Sequence, residues 1–212
     1  CDRQLELMDF PDPTPGPGEV VVEIKASGMC GSDLKFYRAV GGASSLGLGD
    51  LDGPIIAGHE PCGIVAEVGE GVDPKLAKIG NRVMDHHYSG CGVCKHCRGG
   101  WSQLCLDGII VYGATGHGAH AKYMKVPAHT LVQLPDDLSF KTGAAISCGT
   151  GTAYGALKRL NLAGDETIVI FGQGPVGLSG TQLAKEMGAR VIALDVSEER
   201  RQLALNFGAD EV

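Results

Sequence analysis

The chain has 212 residues, 43% of them hydrophobic and 20% charged, enough for one large domain or two small ones. Its net charge of −7 argues against non-specific nucleic-acid binding, and no apolar run reaches the ~18 residues that cross a membrane. No signal peptide is read, and cysteines at metal-ligand spacing favour a reducing compartment, so a cytoplasmic location is expected.

In chain order, Leu5 to Met8 reads as part of a strand, and the proline-rich run 11–18 as a rigid turn. Residues 19–26 (EVVVEIKA) form a strand of β-branched residues, followed by a turn at 27–32 and a short helix over 33–38. Residues 41–53 read as a Gly/Ser/Leu/Asp-rich loop. Gly58-His59-Glu60-Pro61 sits at a turn into a strand over 64–68, because Gly58 and Pro61 keep the pair out of a helix. Further strands are expected at 82–84, 118–126 and 130–133. From Ser139 the pattern changes to helix at 141–145 and 152–160, strand at 167–171, helix at 177–187, strand at 191–195 and helix at 197–207. The class is therefore α/β with a β-rich first domain: residues 1–150, then 151–212.

Three motifs carry chemistry. Cys91, Cys94, Cys97 and Cys105 have the spacing C-x₂-C-x₂-C-x₇-C, which closes four thiolates around a structural zinc in a lobe over 90–106. An iron–sulfur cluster or paired cysteines are the alternatives. Cys30, His59 and Cys148 make a second set, two thiolates and an imidazole, the ligand type of a catalytic zinc that keeps one position open. Gly172-x-Gly174-x-x-Gly177 follows an apolar strand and opens a helix, and Asp195 closes the next strand. In this context the glycines, with Pro175 and Val176 between them, cradle a pyrophosphate. Asp195 takes the ribose hydroxyls, favouring NAD over NADP. A turn that only packs a helix on a sheet is the alternative.

Together these residues closely resemble the zinc-containing medium-chain alcohol dehydrogenase family. The resemblance implies a GroES-like catalytic domain followed by the first half of a Rossmann cofactor domain, two zinc ions per chain, and NAD. It also implies oxidation of a primary or secondary alcohol to an aldehyde or ketone, and a homodimer or homotetramer in the full-length form. Carried over by position, Glu60 approaches the metal, Asp33 orients the histidine ligand, Ser32 bonds the substrate oxygen, and Thr152 lies beside the nicotinamide. Lys35 stands where many members have a proton-relay histidine. A polyol- or threonine-type dehydrogenase is the alternative within the class. Because a doubly wound domain has two halves and this chain holds one, an inactive zinc-stabilised dinucleotide-binding fragment is the alternative outside it. His86 and His87 are expected at the surface or behind the ligands, and His117, His120 and His129 have no assigned role.

Overall fold

A computed structural model describes residues 3–40 and 53–212; most of the loop expected at 41–53 lies outside the described residues. The chain packs as two compact units, 1–147 and 148–212.

The first unit is built on a five-stranded antiparallel sheet. Its strands are β1 (Glu19–Gly28), β2 (Glu60–Val68), β3 (Arg82–Asp85), β6 (Tyr123–Pro127) and β7 (Leu131–Gln133), in the order β6-β1-β2-β3-β7. Alternation sets its buried face: Val20, Val22, Val65, Val83, Met124 and Val126 form one cluster. β1 pairs with β2 through two register irregularities, around Val21/Val22 and Ile24/Ala26, which bend the strand. Pro61 is tolerated because it is the second residue of β2, opposite Ser27.

Helix α1 (Gly31–Arg38) follows β1 directly. A small lobe carries β4 (Tyr88–Ser89), paired with β5 (Ile110–Val111), and the short helix α2 (Lys95–Arg98). Helix α3 (Phe140–Ala145) is capped by Ser139, whose Oγ accepts from Thr142 N–H at 3.1 Å.

The second unit holds α4 (Gly151–Leu160), β8 (Thr167–Phe171), α5 (Pro175–Glu186), β9 (Arg190–Leu194) and α6 (Glu198–Asn206). β8 and β9 pair in parallel, Ile168 opposite Val191 and Ile170 opposite Ala193, with α5 as the crossover. Leu157, Ala184, Val191, Ala193 and Ala204 make its core.

Two expected strands differ. Leu5 to Met8 form no strand; Leu5 and Leu7 are 83% and 103% exposed, so the apolar run has no ladder partner. The strand expected over 118–126 starts only at Tyr123, because the amides of 118–120 are spent on the 56–58 segment instead. A π-helical turn, Ile146–Thr150, also separates α3 from α4 where a break was read. Among the described residues, no helix is long and apolar enough to cross a membrane.

Candidate functional site

In the first unit, the β1–α1 junction and the start of β2 bring three possible metal donors together. Cys30 precedes α1, His59 precedes β2, and Glu60 begins it. The donor atoms of Cys30, His59 and Glu60 lie within 4.8 Å of one another.

Asp33 ties the group together. It accepts from Cys30 N–H at 2.7 Å with Oδ2, and its Oδ1 lies 3.1 Å from His59 Nδ1. Burial would push its carboxyl up, but the bonds from His59 and Cys30 outweigh burial and hold it below the usual range. An ionised Asp33 can only accept, so Nδ1 carries the His59 proton and Nε2 is left as the donor atom for a metal. Cys30 behaves alike: burial opposes the thiolate, and bonds from Ser32 hold the thiol below its ordinary value. Ser32 Oγ lies 3.9 Å from Cys30 Sγ. Lys35 is exposed on α1.

The four cysteines of the small lobe meet as their spacing predicted, with sulfurs all within 4.8 Å of one another. Cys94 Sγ and Cys105 Sγ are 4.0 Å apart, near the edge of about 3.8 Å that a tetrahedron of sulfurs around zinc requires. Cys94 N–H donates to Cys91 Sγ and Cys91 N–H to Cys105 Sγ, both at 3.3 Å. Backbone N–H groups of Cys97 and Leu106 pull the Cys94 thiol down to about 6. Asp107 beside Cys91 and burial at Cys97 push those two thiols up instead, so it is the convergence of four sulfurs that fits a bound cation. Cys91, Cys94, Cys97 and Cys105 are joined by no disulfide.

In the second unit, Gly172 adopts φ +84°, Gly174 caps α5 and Pro175 is its first residue. Val176 is 44% exposed beside them. Asp195 follows β9 and accepts from Gln173 N–H at 2.6 Å and Ser197 N–H at 2.9 Å. Those two bonds, and Arg200 at 3.7 Å, hold its carboxyl below the usual range. Thr152 lies exposed on the first turn of α4. Cys148 is the first residue of this unit, inside the π-helical turn.

Residues 16–136, more than half of the chain, match the Alcohol dehydrogenase GroES-like domain, and 175–212 match Zinc-binding dehydrogenase. The chain belongs to the zinc medium-chain alcohol dehydrogenase family. It is 39% identical over 210 residues to the uncharacterized zinc-type alcohol dehydrogenase-like protein YphC of Escherichia coli, covering 96% of this chain and 58% of that one. An alcohol dehydrogenase of Geobacillus stearothermophilus is 38% identical, over 98% of this chain and 59% of its own length. Among solved structures, acetophenone reductase from Geotrichum candidum in complex with NAD superposes with a TM-score of 0.84 at 36% identity, covering 99% of this chain and 60% of that one. The chain thus spans about three fifths of the length of these medium-chain relatives.

Of two histidines near His59, His87 takes the position behind the ligand that was one of its two expected places, and His120 was given no role from sequence. His87 is 6% exposed rather than superficial, and its ring stands 4.9 Å from that of His59. Burial pushes it down to about 4, so it is a neutral imidazole. His120 lies against Gly58, 93 residues from its partner Ser27. Neither has a partner at motif spacing, so nothing local fixed their places.

Proposed function

We propose that this chain carries the catalytic and cofactor-binding elements of a zinc-dependent, NAD-linked oxidoreductase that interconverts an alcohol and its aldehyde or ketone. The observation that carries this reading is the Cys30–His59–Glu60 group with Asp33 behind the imidazole. Cys148 is proposed as the remaining ligand, since a second thiolate beside the imidazole makes the Cys₂His set of a catalytic zinc. Two zinc ions per chain are proposed, one held here and one by Cys91, Cys94, Cys97 and Cys105.

When bound, zinc supplies a Lewis acid for the alcohol oxygen and NAD supplies the hydride acceptor. Asp33 keeps His59 in the ligating tautomer. Ser32 takes the alcohol proton and passes it outward as hydride leaves the carbinol carbon. Glu60 stands beside the donors as a carboxylate able to approach the metal. Gly172, Gly174 and Gly177, with Pro175 and Val176, bring backbone N–H groups at the start of α5 to a pyrophosphate. Thr152 is assigned to the nicotinamide side.

Replacing His59 with Ala is expected to remove one of two zinc equivalents, by elemental analysis. NADH formation across an alcohol panel should then fall about a thousandfold or more. Cys148→Ala should do the same; unchanged zinc and unchanged turnover would remove Cys148 from the ligand set.

Asp195 is proposed as the ribose acceptor. Each carboxylate oxygen has a second lone pair beyond the amide it binds, and its charge opposes a 2′-phosphate. Asp195→Gly should shift the NAD-to-NADP preference at least about tenfold toward NADP in dinucleotide titrations. An unaltered ratio would reject that role.

A further inference from the structure

We propose that His120 is a positioning residue for His59, its ring held between Ser27 and Gly58 so that it fixes the turn presenting the candidate metal ligand. The inference rests on the reading of His59 as a ligand.

The turn is gripped from one side by three consecutive amides. Gly118 N–H donates to Ile56 C=O at 2.7 Å, Ala119 N–H to Gly58 C=O at 2.9 Å, and His120 N–H to Ala57 C=O at 2.9 Å. Gly58 has φ +91°, a conformation side chains disfavour, and a Cβ there would fall 2.5 to 2.8 Å from three atoms of the His120 ring. The ring therefore covers the backbone immediately before His59.

Its Nδ1 lies 3.0 Å from Ser27 Oγ, near the end of β1, where Ser27 pairs with Pro61 of β2. One imidazole thus links β1, the 56–58 turn and the segment before β6. His59 is restrained twice: its backbone by His120, and its ring by Asp33. His120 is itself exposed, so removing it opens no core cavity. What it contributes is the orientation of the neighbouring residue, as groups behind metal ligands do.

The test is cobalt(II) titration of the whole chain followed by absorption spectroscopy, in which the all-sulfur lobe and the mixed sulfur–imidazole site give distinct d–d bands. His120→Ala and Ser27→Ala should each weaken cobalt binding at the mixed site about tenfold and shift its bands, with the lobe bands and the thermal midpoint unchanged. Ser27→Ala removes one hydroxyl and decides the matter if His120→Ala fails to fold. Wild-type affinity and bands in the variants overturn the inference while leaving His59 a ligand. A wild-type chain that takes cobalt only in the lobe overturns the reading of His59, and this inference with it.

Discussion

Gly177→Ala is expected to destabilise the second unit by about 3 kcal/mol or more, while Gly174→Ala leaves its stability nearly unchanged. A Cβ at position 177 would lie 1.7 Å from the Gly172 carbonyl oxygen, which is backbone and cannot swing aside. A Cβ at 174 meets nothing within 4 Å, and that residue's φ of −78° suits any side chain. The two glycines thus answer to different demands. Gly177 lets α5 start against the turn, and Gly174 keeps the surface bare where a pyrophosphate is proposed to approach. Hydrogen exchange at the β8 and β9 amides separates them. Protection should fall in Gly177→Ala alone, whereas dinucleotide binding should weaken in both. Equal protection in the two variants would mean that the turn relaxes more freely than its geometry implies.

Asp85→Asn is expected to raise stability at neutral pH, and to do so less as the pH falls. Asp85 is 3% exposed at the end of β3, and its Oδ2 has no partner among the described residues. Thr130 Oγ1 lies within hydrogen-bond distance of both Asp85 Oδ1 and the Pro127 carbonyl, the latter at 2.7 Å. One hydroxyl has one hydrogen. Both contacts are satisfied when Thr130 donates to Pro127 and a protonated Asp85 donates to Thr130. Burial accordingly pushes the Asp85 carboxyl from 3.8 up to about 8, against the smaller opposite effect of Thr130.

A carboxyl raised in the folded state holds its proton there while the unfolded chain loses it. Stability therefore falls as pH rises from about 4 to about 8 and is level above that. At about 1.4 kcal/mol per pH unit, the cost at pH 7 is about 4 kcal/mol. Denaturant melts between pH 4 and 9 should show this decline in the wild-type chain and a flatter profile in Asp85→Asn. Parallel profiles would mean that Asp85 is ionised and compensated.

The four-cysteine lobe was legible because its ligands lie within fifteen residues, so spacing alone brings the sulfurs together. The glycine turn was legible for the same reason: strand, turn and helix are consecutive, and β8 and α5 begin within two residues of where periodicity placed them. Helix α6 was read from Ser197, which caps it in the fold: its Oγ accepts from Arg200 N–H. The expected strand at 5–8 failed because a strand needs a partner, and an apolar run states only that one would be welcome. The start of β6 was misplaced because alternation continues through 118–122 while the amides there are already committed elsewhere.

By itself, then, the amino-acid order determined those features whose contacts are short in sequence: the sulfur lobe, the glycine turn and the caps. Tertiary structure alone decided which distant groups meet. Asp33 reaches His59 across 26 positions and Ser27 reaches His120 across 93, because the pairing of β1 with β2 sets that register. Burial is likewise a property of the folded sheet, which is why no sequence motif singles out Asp85, whose carboxyl burial in the fold pushes up to about 8.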